Sequence, residues 1–346
     1  MSIQITLYLD TRRAKQNGLF PAKLRVWDSY LKKAKFYPVG IDFTLKEFEA
    51  TWNKKKPSKE NQENRIKLDK VLTRANKVVG DMLVFSFDIF EKKLFRKPGE
   101  STNVYYHYSE TINQLKKEDK LSTADTYSLS MKSFKAFELS KNKNAKEALS
   151  LYDITIDWLN TYESYMRGKG RSFTTVSIYV RCLRAVFNTA IADKDINKDF
   201  YPFGKRKYKI PSVKNKKKAL SSEQLKVLFH ATTINEGQEK AKDFWFFSYS
   251  CSGMNIKDIA SIRNKDIKDG VLSFYRAKTI NTSKDGLSAI TVHLTDYAKE
   301  IIQKYSKLSK DPNELVFDII DDKLNSEAKR VKIKNFTRLI NQHIKK

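Results

Sequence analysis

The segment SFTTVSIYVRCLRAVFNTAI, residues 172–191, holds side chains suited to gripping a phosphate backbone. Val176, Val180, Leu183, Phe187 and Ala190 recur at helical spacing and would face a core. Thr174, Thr175, Ser177, Arg181 and Arg184 project elsewhere on the same helix. Short hydroxyls donate to phosphate oxygens, and guanidinium groups reach phosphates or base edges with paired donors. A capped amphipathic helix with a solvated polar face would show the same pattern.

A second basic set lies near the start. Ile3, Ile5, Leu7 and Leu9 alternate with Gln4, Thr6 and Tyr8, the period of a strand. Asn17-Gly18 is a turn signal, and Ala22, Leu24 and Val26 alternate with Lys23, Arg25 and Trp27. Residues 32–40 predict a third strand ending near Pro38 and Gly40. The polar side would present Arg12, Arg13, Lys23 and Arg25, with Lys15, Lys32, Lys33 and Lys35. A ribbon of two or three strands fits the major groove. A solvated sheet guarded by edge lysines is the alternative. Further on, KRKYKIPSVKNKKK (205–218) contains no acidic residue and closes on Lys216, Lys217 and Lys218. It reads as a solvated linker or as a tether along DNA, where each phosphate neutralised adds about 0.9 to the salt slope.

The whole chain shares this bias. Among 346 residues, Lys and Arg number 67 against 40 acidic residues, a formal charge of +27. A polyanionic partner follows, nucleic acid first and an anionic membrane surface second. The longest apolar stretch, residues 244–251, is too short to span a bilayer, and the amino terminus lacks the apolar run of an export signal. Cys182 and Cys251 read as buried thiols of a reducing compartment, consistent with a cytoplasmic protein. His107, His230, His293 and His343 lack ligand spacing, so no metal is expected.

Length and patterning predict a multidomain chain, mainly α with small β elements. Residues 1–97 form an α+β domain: the sheet, a short helix capped by Thr44, and a longer helix. Its apolar stripe is Ile66, Val71, Leu72, Ala75, Val78, Val79, Met82 and Leu83. KPGEST (97–102) is a break, and residues 101–204 form a helical domain. One of its helices runs from Leu121 to Leu139 with Ser122 or Thr123 near its start, and Gly168 and Gly170 end another. The linker 205–218 leads to a mostly helical α+β domain, 219–346. There Ser221 caps one helix, and Asp243 to Ser252 is a buried helix closed by Gly253. Asn255 opens another with Ile259 and Ile262 inward, and residues 271–275 and 290–294 make a hairpin. Helices around 295–308 and 323–345 follow.

Two motifs in that last domain resemble a known family. Ser252-Gly253-Met254-Asn255-Ile256-Lys257-Asp258-Ile259 is similar to the tyrosine recombinase pattern small-Gly-apolar-Arg-x-x-Asp/Glu-Ile/Leu, with Asn255 at the usual arginine position. Phe274-Tyr275-Arg276-Ala277-Lys278-Thr279 resembles the hairpin that presents the family's lysine. The domain order is similar to that of phage-type integrases of mobile elements: arm-binding, core-binding (SAM-like) and catalytic.

The resemblance implies double-stranded DNA as partner, self-assembly on DNA, no membrane, and neither metal nor nucleotide cofactor. In this family a tyrosine attacks phosphorus, guanidinium groups neutralise the pentavalent transition state, and a lysine protonates the departing 5′ hydroxyl. Lys278 would be that acid, or else a solvated strand lysine. Asn255 cannot replace a bidentate cation and doubles as a helix cap. Arg263, two turns along, is the candidate substitute, or else lies on the helix exterior. A His-x-x-Arg box and a tyrosine would follow the last helix, and residues 1–346 contain no His-x-x-Arg. The chain is therefore expected to be carboxy-terminally incomplete and inactive alone in strand exchange. The alternative is a catalytically inactive DNA-binding accessory protein derived from an integrase. RNA binding ranks below both, since no aromatic-rich strand of the RNP type is present.

Overall fold

A computed structural model describes residues 3–82, 84–142, 148–212, 219–278, 280, 288–307 and 309–345. Two compact units result, Met1–Val213 and Lys214–Lys346. Helices dominate both, with one small antiparallel sheet in each, so the expected fold class holds.

In the first unit, β1 (Ile3–Leu9), β2 (Phe20–Asp28) and β3 (Lys33–Phe43) form a sheet in that order. Leu7, Leu9, Ala22, Leu24, Val26 and Tyr37 are buried, as the period-two pattern requires. β3 runs past its expected end at Pro38 and Gly40. It is an edge strand, and the register shifts between Pro21 and Lys23 opposite it, so the proline is accommodated. Gly40 takes the left-handed conformation at φ 84, which a side chain would strain.

Thr44 caps the short α1 (Leu45–Phe48) through a reciprocal box with Glu47. The sheet then packs on α2 (Lys59–Gly80) and α3 (Phe87–Leu94). The expected stripe of α2 needs correction. Ile66 is half exposed, whereas Leu68 is fully buried and sets the spacing 68, 71, 72, 75 that faces the sheet. Met82 lies beyond the helix, and Leu83 lies outside the described residues.

The helical part comprises α4 (Val104–Lys117), α5 (Leu121–Lys141), α6 (Ile156–Gly168) and α7 (Phe173–Ala192). Asn103 caps α4 and Ser172 caps α7. No side chain caps α5, because the chain enters it through a turn at Asp119 (φ 55) and is helical before Ser122. Tyr108, Phe134, Phe137, Tyr162 and Phe187 are fully buried between these helices. Each such ring stabilises the fold by roughly 1.5–3 kcal/mol. The Tyr108 hydroxyl bonds to Ser130 Oγ at 2.8 Å, so its burial costs no lost hydrogen bond.

The second unit holds α8 (Ser222–His230), α9 (Glu236–Ser250), α10 (Ile256–Ile259), α11 (Asp296–Tyr305) and α12 (Ser326–His343). Its sheet has the order β4 (Ile267–Lys268), β5 (Val271–Phe274), β6 (Ile290–His293). α9 begins at Glu236, eight residues before the apolar stretch 244–251, because Asn235 caps it. A β-carbon on Gly237 would stand 2.8 Å from His343 Cε1, so this glycine admits the end of α12 against the start of α9. Residues 315–317 and 319–320 are buried in an irregular strap with Asp318 exposed between them, and Val316 N–H donates to Ile262 O at 2.9 Å. Among the described residues, no helix is long and apolar enough to cross a membrane.

Candidate nucleic-acid interface and catalytic turn

α9 ends through two successive left-handed residues, Ser252 (φ 59) and Gly253 (φ 72). Ser248 accepts both Gly253 N–H (2.9 Å) and Met254 N–H (3.1 Å) at its carbonyl and donates its hydroxyl to Met254 O (2.7 Å). This closure aims the chain into α10 with Met254 buried. Asn255 is the cap of α10: its Oδ1 accepts from Lys257 N–H at 3.0 Å. One turn on, the buried Asp258 accepts the backbone N–H of Ala277 at 2.8 Å. Ala277 directly precedes Lys278. The turn at Asn255 and the segment of Lys278 are thus fastened through Asp258, with Asn255 and Lys278 both exposed.

Arg263 is not on that helix. α10 spans only four residues, and Arg263 follows it in extended conformation (φ −111, ψ 158). Its guanidinium donates to both carboxylate oxygens of Asp322, at 2.8 and 3.0 Å, and to Asn313 O. These bonds, the one to Asp322 foremost, raise the Arg263 pKa despite partial burial. The side chain joins the loop before β4 to the segment after residue 312.

On α7, Arg181 and Arg184 are exposed, and Thr174 and Thr175 are half-buried beside the Ser172 cap. Ser177 departs from its expected role. It is 5% exposed, and its hydroxyl has no partner among the described residues. It lies three residues before Val180, on the margin of the apolar face, where packing covers it.

The sheet's outer face is less free than its composition suggested. Arg12 forks onto Asp10 (2.8 and 2.9 Å), and Lys23 reaches the same carboxylate at 2.7 Å. These bonds hold the Asp10 carboxyl well below the usual range. Arg13 is exposed, and Arg25 lies over the Trp27 ring at 5.4 Å. Tyr8 and Phe36 meet on this side at 5.4 Å. The outer face therefore interleaves cations with aromatic rings. The alternation that put Trp27 beside Lys23 and Arg25 already contained that signal. Lys216, Lys217 and Lys218 lie outside the described residues.

Tyr297 and Tyr305 both donate to buried Asp243, each at 2.9 Å, and Lys304 joins them at 2.8 Å. Burial and these bonds raise both phenols, Tyr305 up to about 12. Their hydroxyls brace α9 against α11. Among the described residues, no group of three His, Cys, Asp or Glu could hold a metal ion.

Residues 103–210 match the model of the phage integrase SAM-like domain. The helical segment thus carries the phage integrase SAM-like domain that the resemblance read from the sequence implied for it. No curated protein matches it. Among solved structures, a lambda integrase tetramer bound to a Holliday junction is similar at 15% identity and TM-score 0.46, over 96% of this chain and 83% of that one. The Tn1549 transposon integrase (residues 82–397) in complex with circular intermediate DNA shows 15% identity and TM-score 0.41, over 70% and 79%. A lambda integrase dimer bound to a COC′ core site shows 14% identity and TM-score 0.42, over 95% and 80%.

Proposed function

We propose that this chain binds double-stranded DNA as a site-specific recombination protein, gripping the duplex through α7 and the outer face of the amino-terminal sheet. The observation that carries this reading is the phage integrase SAM-like domain, whose α7 exposes Arg181 and Arg184 on a chain of net charge +27. Thr174 and Thr175 flank the same helix start. Arg13 and Arg25 serve the sheet face, and Lys216, Lys217 and Lys218 add charge at the end of the basic stretch 205–218. Self-assembly on DNA belongs to the same reading. Lys278 is the general acid at the scissile phosphate, on the segment that Asp258 ties to the Asn255 turn.

Residues 1–346 supply no nucleophile in this reading. Tyr297 and Tyr305 are engaged by Asp243, and a neutral Asn255 stands at the arginine position. Asn255 capping α10, with Arg263 held by Asp322, favours a second reading: an accessory protein that occupies sites without cutting. A nicked suicide duplex tests this. The chain should retain the duplex without covalent linkage. An adduct mapped to any tyrosine of residues 1–346 would overturn the assignment, and failure to retain the duplex would overturn the DNA-binding reading itself.

A further inference from the structure

The break at residues 97–102 looks like a flexible connection between sheet and helices, but a buried ionic joint spans it. Arg96, just after α3, is 7% exposed, and its Nη1 lies 2.7 Å from Asp195 Oδ1. Asp195 follows α7, and its side chain is 7% exposed. The guanidinium also covers the Tyr106 ring of α4 at 5.0 Å. His107 approaches Asp195 Oδ2 to 3.7 Å while its Nε2 bonds to Ser101 O at 2.8 Å. Burial lowers the His107 pKa, so Asp195 faces one permanent cation. Around this pair, Lys93 donates to Asp193 O, Lys92 meets Glu110 at 3.2 Å, and Arg74 of α2 donates to Arg96 O.

We infer that the Arg96–Asp195 pair is a latch that fixes the sheet on the helical domain, making residues 97–102 a rigid elbow between two DNA-reading faces. The physics favours fixed geometry over added stability. The contact is single, with Arg96 Nε and Nη2 and Asp195 Oδ2 lacking hydrogen-bond partners among the described residues, so the pair repays little of its desolvation, whereas an unpaired member is strongly penalised. Any rotation of the sheet about 97–102 would separate the partners inside low-dielectric surroundings. The sheet face and α7 would therefore meet DNA segments at one set spacing and angle. That consequence rests on the DNA-binding reading, whereas the latch itself does not.

The test uses the full chain without DNA, so its failure is distinguishable from failure of DNA binding. Spin labels are placed on exposed positions of the two parts, Ser29→Cys and Ser122→Cys, with buried Cys182 and Cys251 left in place. Pulsed dipolar spectroscopy should give one narrow distance distribution. Asp195→Asn should broaden it at least twofold, as should the milder Arg96→Lys, which keeps the charge but loses the planar guanidinium that lies over Tyr106 while reaching Asp195. Arg96→Met combined with Asp195→Leu removes both charges together and should restore the narrow distribution. A broad distribution in the unmutated protein, or a narrow one in Asp195→Asn and Arg96→Lys, would overturn the latch.

Discussion

Asp258 and Ala277 are joined by a 2.8 Å hydrogen bond from backbone N–H to buried carboxylate, and this contact links the turn at Asn255 to the segment of Lys278. Removing the acceptor leaves a partly buried N–H unpaired. Asp258→Ala should destabilise the second unit by about 1–3 kcal/mol, and Asp258→Asn, whose amide oxygen still accepts, by less. Urea unfolding followed by tryptophan fluorescence measures both, with Trp245 reporting the second unit and Trp27, Trp52 and Trp158 the first. Equal stability of Asp258→Ala and the parent would show that the contact holds nothing.

Arg263→Ala separates a structural from a catalytic role. If its work is to tie Asp322 and Asn313 together, the variant loses about 1 kcal/mol of stability in urea and keeps its DNA affinity. A large loss of affinity with unchanged stability would return Arg263 to the phosphate.

On α7 the expected effects divide by exposure. Arg181→Ala and Arg184→Ala should each weaken duplex binding and lower the salt slope by about 0.9. Ser177→Ala should change affinity not at all and stability by no more than about 0.5 kcal/mol, since the buried hydroxyl has no hydrogen-bond partner among the described residues. Anisotropy titrations of the three variants on one duplex decide the matter.

How much of this was legible follows from the range of the interaction. Alternation in β1 and β2, the Thr44, Ser221 and Asn255 caps and the apolar face of α7 are local, and residues a few positions apart declare them. Asp322 lies 59 residues from Arg263, and Lys23 finds Asp10 across two strands, so no spacing rule exposes either pairing. Ile66 is apolar yet exposed, because Leu68 sets the helical phase. The strap 315–320 has neither a helical nor a strand period, and its burial comes from contacts such as Val316 with Ile262.

Alkaline pH should weaken the fold. Burial pushes Tyr37 and Tyr105 up to about 12, and burial with the Asp243 bond does the same for Tyr305. A phenol raised above its ordinary value of 10.0 keeps its proton in the folded state while the unfolded chain releases it. Stability is therefore intact below pH ~10 and falls as pH rises toward ~12. Melting temperatures across this window should decline, and Tyr305→Phe should flatten the decline of the second unit. A constant melting temperature would contradict the buried phenol assignments.

Gripping duplex DNA through its phosphates is what the proposed function requires of this cationic chain. The most direct test is the equilibrium affinity of the full chain for a duplex, measured between about 50 and about 200 mM salt. Log affinity should fall linearly with log salt, by roughly a thousandfold or more for a contact of at least six phosphates. Affinity that stays level across that range, or no binding at the lowest salt, would contradict it.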